Sequence, residues 1–598
     1  MFVVCCPGLL SEITDNKILV SGIIPYLKTE EMQMSEKTKG AAPHSQKLNY
    51  KRTFLIGLGF MACMLLWSIY NSYVPVILKA KFTELFAAEG GIDAFHQRVP
   101  ALAWLSVPLI VNAIMTIDNV FGVIFQPFFG KKSDGTKSKF GKRMPYIIIG
   151  LPICAVFFCF IPVVAFSVKA IALSIALMMA VVICFNFIMS VWRSPVVSLM
   201  PDFTPSNLQS DANAVINIMG GVGQILGFVI GTIVSTVAGL VGLNGMAEML
   251  KAKTNTLGQI LATNPDGSVI VDAVDKLGNV TGLYECPAEL AEKFKVFFEG
   301  KHDTFVVDGV TLAQKRVLTV DGVVQYVNYT PIFVVAAIIA VLSLVALVAF
   351  YKKNKKYDLS AAVELETAPG EKPKKIKIRD LPISKSERKS LLLMLAALFF
   401  ICNATEAIIP NFTNFAEETL AVKPIYSTLM MAVFAVSLAA FGIPAGTLGR
   451  KIGRKKTIVI GLIGCIVFFG IYLAVSQIFG NRSTVTWVAF WIALVVGGAC
   501  VGMININTLP LVLAIGGREF VGTFTGYYYT ATFSAAVSGP ILCGLLIGLF
   551  DNDYNFMFLF CALAFVVGLA IITRVKHGEV SKDEDTSWLD EAVQNADD

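Results

Sequence analysis

The chain has 598 residues, 55% apolar and only 15% charged, with 43 Phe, 48 Gly and a mean hydropathy of +0.68. Soluble globular domains carry about a quarter charged residues, so this balance excludes an ordinary soluble enzyme. The formal net charge of +6 is spread over particular loops instead of one patch, so membrane topology accounts for it and no nucleic-acid partner is expected.

From the N-terminus, residues 1–33 show no basic segment before Cys5 and Cys6 and no convincing small-residue cleavage site. Met34 opens a polar stretch, MSEKTKGAAPH, and translation is expected to start near it, with 1–33 an upstream extension. A short amphipathic anchor is the alternative. Twelve apolar stretches then follow, each near the ~20 residues that span a bilayer. They fall at 54–78, 104–129, 145–166, 170–192, 213–242, 331–350, 390–412, 425–447, 457–477, 486–509, 523–550 and 554–573. The expected fold is an all-α membrane protein of twelve transmembrane helices in two six-helix halves. Its parts are a tail at 1–53, five helices over 54–242, an insert at 243–330, helix six at 331–350, a linker at 351–389, six helices over 390–573, and a tail at 574–598.

Lys and Arg orient it. The loop KKSDGTKSKFGKR holds six, the segment Lys352 to Lys389 twelve and GRKIGRKK five, whereas the short loops of opposite parity after spans three, seven and nine hold one each, Lys169, Lys423 and Arg482. Positive loops stay inside, so both termini are expected in the cytoplasm and the protein in the cytoplasmic membrane. The insert would then lie outside; its runs GSVIVDAV and DTFVVDGV alternate like short hairpin strands, so a small cap or a flexible loop is expected. The Pro-, Lys- and Glu-containing linker reads as disordered or partly helical. The twelve Cys lie mostly in apolar stretches, as at Cys63, Cys154 and Cys543, and read as small core- or lipid-facing residues. There is no P-loop, HExxH or nucleophile elbow, so no cofactor, metal or enzymatic activity is expected.

The two halves share a signal. Gly130-Lys-Lys-Ser-Asp134, ending FGKRMP, follows span two, and Gly446-Thr-Leu-Gly-Arg450, ending IGRKK, follows span eight. Paired halves of this kind place a substrate site between them near the midplane. Gly130, Asp134, Arg143, Arg193, Asp202 and Arg450 are the candidate gating residues, Asp134 and Arg143 by pairing across neighbouring helices.

This layout resembles the major facilitator superfamily. The segment Gly122-Val-Ile-Phe-Gln126-Pro127-Phe-Phe-Gly130, continuing through Asp134, Gly141, Arg143 and Pro145, resembles its sucrose-transporter branch, related to the glycoside–pentoside–hexuronide:cation symporters. Arg193-Ser-Pro195, Pro201-Asp202, Ala212-Asn213-Ala214 and Gly227-Phe228 agree. The resemblance covers the twelve-span core and implies a secondary transporter that moves a glycoside, such as a disaccharide, by symport. Plant relatives carry an acid within span four and an Arg near its end; here that span has no acid and Val197 occupies the Arg position, with Arg193 four residues earlier. Melibiose-type relatives carry two acids where Gly122 and Gln126 stand, so sodium is the less favoured coupling ion and a proton the favoured one. All four His (His44, His96, His302, His577) fall outside the spans, leaving no His relay.

Two acidic residues lie well inside spans, Asp118 and Glu406, and intramembrane carboxylates face a cavity, a partner or an ion path. Both are candidates for proton coupling. Asp118, Gly122 and Gln126 share a helical stripe, Asn112 and Asn119 an adjoining one, and Asn403 sits one turn from Glu406. Carboxylates with amides suit hydroxyl-rich substrates, so Asn112, Asn119, Gln126, Asn403 and Glu406 are candidate sugar contacts. Tyr70 and Asn71, within Trp67-Ser-Ile-Tyr-Asn-Ser-Tyr73, would add a stacking face and a polar edge. A helical packing role is the alternative for each carboxylate. Two other functions stand beside sugar symport: a lipid or drug mover on the same fold, and a membrane sensor that binds a solute without moving it. No obligate protein partner is evident.

Overall fold

The computed structural model describes residues 49–577 apart from 89, 103, 137, 205–208, 253, 255–258, 265, 267, 276–278, 289, 291–303, 308, 314–315, 356–382, 421, 482 and 517–520. The expectations for 1–33 and for most of the linker and C-terminal tail lie outside them.

The twelve apolar stretches all form helices. In the first half these are α1 (Tyr50–Ala88), α3 (Val107–Met115) with α4 (Ile117–Asp134), α5 (Met144–Ser167), α6 (Ile171–Phe203), α7 (Gln209–Leu240) and α9 (Thr330–Asn354), with short helices α2 (Ile92–Arg98) and α8 (Asn244–Lys251) between. In the second half they are α10 (Lys385–Glu418), α11 (Pro424–Ile452), α12 (Arg454–Phe479), α13 (Thr484–Gly516), α14 (Val521–Leu549) and α15 (Phe556–Ile572). Among the described residues eleven spans are long and apolar enough to cross a membrane, and α15 is a shorter apolar helix of 17 residues.

Several boundaries correct the sequence reading. Span two is interrupted at Thr116, where the Thr Oγ1 donates to Ala113 O (2.8 Å) and its N–H to Asn112 O (3.1 Å). Spans one and seven run well past their apolar cores, to Ala88 and Glu418, because the charged residues beyond those cores find partners. The start of α10 is fixed by a capping box: Glu387 N–H donates to Ser384 Oγ (3.1 Å) and Ser384 N–H to the Glu387 carboxylate (2.8 Å).

Faces follow helical periodicity. Helix α5 buries Ile147, Leu151, Cys154 and Phe158 and exposes Ile149, Ile153, Val156 and Phe160, an apolar surface on both sides that suits lipid on one and neighbouring helices on the other. Within the first half α1 packs along α7 and α9, and α5 along α6; within the second, α10 packs on α14 and α15, and α12 on α13. The halves meet where α3 packs on α14, α7 on α11 and α1 on α10.

Between α7 and α9 the insert forms a four-stranded antiparallel sheet, order β2-β1-β4-β3, from β1 (Val269–Val274), β2 (Val280–Cys286), β3 (Thr304–Val307) and β4 (Val310–Ala313). Strands β5 (Thr319–Val320) and β6 (Val323–Val324) make a small hairpin. Leu261, Val269, Val271, Ala273, Cys286 and Leu312 form its core. Cys286 is therefore a core residue of the sheet. The end of the bundle bearing this sheet is termed the sheet side, and the opposite end, with the Lys- and Arg-rich loops, the basic side.

Candidate functional site

Polar contacts between the halves cluster toward the sheet side. Lys79 of α1 donates to Glu418 (2.5 Å) and Glu417 (3.4 Å) at the end of α10. Asn112 and Asn411 exchange amide hydrogen bonds, both 2.8 Å, with Asn112 fully buried. Thr232 Oγ1 donates to Ile425 O (3.3 Å). Helices α3 and α14 approach closely here: a Cβ on Gly544 would stand 2.9 Å from Pro108 O. These contacts form a seal.

On the basic side of that seal lies a cavity of about 440 Å³. Phe60 and Met64 of α1 and Gly220, Gly221, Gln224, Ile225 and Phe228 of α7 line it from one half. Thr405, Glu406, Ile408 and Ile409 of α10, Met431, Phe434, Ala435, Leu438 and Ala439 of α11, and Val501 and Asn505 of α13 line it from the other. Glu406 is the one acidic residue of this described lining, and Gln224, Thr405 and Asn505 supply its other hydrogen-bonding side chains. The cavity can therefore offer one carboxylate, two amides and a hydroxyl among apolar and aromatic walls.

The other expected site residues divide between this neighbourhood and helix packing. Asp118 is 6% exposed in the first turn of α4, takes the Asn119 N–H (2.6 Å), and lies within electrostatic reach of Glu406 and Arg193. The Arg193 guanidinium sits 5.0 Å from the centroid of the Trp67 ring, a cation–π arrangement. Gln126 folds back over Gly122, its Nε2 3.1 Å from where a Cβ there would be, and Asn119 Nδ2 donates to Ala536 O (3.4 Å) across the halves. Asn71 is half-buried.

Three residues are placed otherwise than the sequence reading expected. Tyr70 is fully buried, its hydroxyl accepting from Asn186 Nδ2 (3.1 Å) and its ring stacked on Phe185 at 5.2 Å, so it packs within the first half. Asn403 does not join Glu406 at the cavity: its Oδ1 accepts from Ser538 Oγ (3.2 Å) and its Nδ2 donates to Phe399 O (2.9 Å), tying α10 to α14. Asn112 belongs to the seal. The sequence reading passed over Lys79, Glu417, Glu418, Asn411, Gln224 and Asn505; the last two are neutral amides among several in their helices and carried no signal of their own.

At the basic side, Arg143 Nε donates to Asp202 (3.0 Å) and its Nη1 to Ser133 Oγ (2.6 Å) and Gly130 O (3.4 Å). Gly130 allows this, since a Cβ there would stand 2.6 Å from Ser194 Oγ of α6. The Arg143–Asp202 pair thus joins the start of α5 to the end of α6 inside one half. The side chains of Asp134 and Arg450 lie outside the described residues.

Two helical halves, a cavity between them and a seal on one side of it define a membrane carrier. A model of the Major Facilitator Superfamily matches residues 56–245 and 394–590, more than half of the chain, and the chain belongs to that superfamily. As a member of that superfamily it is a secondary transporter and not an enzyme. Among solved structures it is similar to a bacterial homologue of the iron transporter ferroportin in an inward-facing state, at 11% identity over 88% of this chain and 99% of that one, with a TM-score of 0.51. It is also similar to a variant of the nucleoside transporter NupG, at 11% identity over 87% of this chain and 99% of that one, with a TM-score of 0.48. These are likenesses of fold. No curated protein matches the chain.

Proposed function

We propose that the protein carries a glycoside, such as a disaccharide, across the cytoplasmic membrane together with a proton, by alternating access. The observation that carries this reading is the cavity between the halves, where Glu406 stands with Gln224, Thr405 and Asn505 among apolar and aromatic walls. A carboxylate and amides accept and donate to hydroxyls, and Phe60, Phe228 and Phe434 offer flat faces for the CH side of a sugar ring. The Lys and Arg content of the basic side supports reading it as the cytoplasmic one, with both termini inside, the sheet outside, and the cavity on the inward side of the seal.

Asp118 is the proton carrier in this proposal. Its carboxyl is buried within electrostatic reach of Glu406, so its charge state is felt at the binding residue without direct contact with the sugar. Glu406 accepts sugar hydroxyls. Gly130, Asp134, Arg143, Asp202 and Arg450 shape the cytoplasmic gate, and Arg193 braces α6 against Trp67 beside Asp118.

The apolar share of the lining supports a second reading, an amphiphile such as a lipid or drug. Uptake into proteoliposomes under an imposed inward proton gradient, with di- and trisaccharides, alkyl glycosides and sugar-free amphiphiles, separates the two. Accumulation of the saccharides supports the first reading; accumulation of the sugar-free amphiphiles alone transfers the site to the second.

A further inference from the structure

The seal on the sheet side carries a cluster of charges that extends from the Lys79 bridge to the insert. Lys79 is 8% exposed, and its partners Glu417 and Glu418 have side chains 18% and 13% exposed. The three therefore form a nearly buried ion triad bridging α1 of one half and α10 of the other. Two residues beyond Lys79, Lys81 pairs with Glu84 (2.9 Å), and on this pair rests Tyr326 of the insert. The Tyr326 hydroxyl donates to Glu84 (3.0 Å), and the Lys81 ammonium lies 5.4 Å from the centre of its ring. Thr254, Tyr326 and Val327 from the insert wall off a cavity of about 20 Å³, with Lys79, Lys81, Glu84 and Glu417 on its other side. That is room for about one water molecule.

We infer that the insert is the lid of a latch: Tyr326, seated on the Lys81–Glu84 pair, keeps bulk water from the Lys79–Glu417/Glu418 bridge and so holds the sheet side closed. An ion pair gains strength as water is excluded, and losing one partner of a buried pair is far more costly than losing an exposed one. When the halves part on the sheet side, Lys79 leaves the two glutamates and both become hydrated, so the lid biases which face is open.

The inference rests on alternation between two faces, and its test reads that alternation with no sugar present, so failure of the glycoside assignment is a separate result. Spin labels carried by unnatural amino acids at exposed Leu240 of α7 and Leu549 of α14 leave the native cysteines in place. Their distance distribution in the full-length protein gives the ratio of sheet-side-open to closed molecules. Lys79→Met raises this ratio by about 100-fold or more, and Lys79→Arg leaves it near the unsubstituted value. Tyr326→Phe, which removes one hydroxyl and leaves the ring, raises it by about tenfold. The double variant Lys79→Met/Tyr326→Phe matches Lys79→Met within about twofold, because the lid acts only through the latch. Should Lys79→Met fail to fold, Glu417→Gln/Glu418→Gln reads the same latch from the other side, with the same direction expected. A ratio unmoved by Tyr326→Phe, or a double variant equal to the product of the singles, overturns the inference.

Discussion

Replacing Glu406 by Gln keeps the size of the side chain and removes only its charge. The residue lines the cavity, so the change falls on ligand contact and leaves helix packing alone. A hydrogen bond to a charged group contributes about 1.5–3 kcal/mol and a neutral one about 0.5–1.5 kcal/mol. The difference of about 1–2 kcal/mol corresponds to a loss of about 5- to 30-fold in sugar affinity. Titration calorimetry on the purified protein, with whichever saccharide accumulates best, reads the loss directly. Asn403→Ala is the companion variant. Because Asn403 ties α10 to α14 through Ser538, it lowers the melting temperature with little effect on affinity. Unchanged affinity in Glu406→Gln, or a larger loss of affinity in Asn403→Ala, would refute this placement of the site.

Asp118→Asn abolishes proton-driven accumulation and keeps sugar exchange across the vesicle membrane, since exchange requires no net proton release; accumulation that persists in this variant while Glu406→Gln loses it reverses the two roles. Asn112→Ala leaves Asn411 without its cross-half partner in a buried site, a cost of about 1–3 kcal/mol to the closed sheet side, and raises labelling of an introduced sheet-side cysteine about 5- to 150-fold. Asp202→Asn weakens the tie to Arg143 and slows cycling with nearly unchanged equilibrium binding, because the pair lies at the basic end of the bundle; a large loss of binding in a well-folded variant counts against a gating role. Gly223→Val drives a side chain into the Met61 backbone carbonyl where α1 and α7 cross, and expression and thermal stability fall sharply.

The spans were legible because an apolar run of bilayer length carries its own signal; the strands at 269–274 and 304–307 showed only as short Val-rich runs, which left a cap and a flexible loop both open. The helix ends were not. Lys79 and Glu417 stand 338 residues apart, each past the edge of an apolar run, and read singly as loop charges; only the folded chain lets each extend a helix by pairing with the other. Periodicity correctly put Asp118, Gly122 and Gln126 on one stripe. It does not reveal what covers a stripe, and so Tyr70 was read as a sugar platform when Asn186 and Phe185 enclose it. The same blindness affected Asn112, whose partner lies 299 residues away. Glu406 was recognisable because a lone carboxylate inside an apolar helix demands a reason; Gln224 and Asn505, being neutral, made no such demand.

The most direct test of sugar–proton symport is the pH inside proteoliposomes that begin with no gradient of any kind. Adding the transported glycoside outside should acidify the lumen as sugar enters, and the acidification should vanish in Asp118→Asn while sugar equilibration continues. Sugar entry with no change in luminal pH would contradict the account and leave a carrier that only equilibrates its substrate.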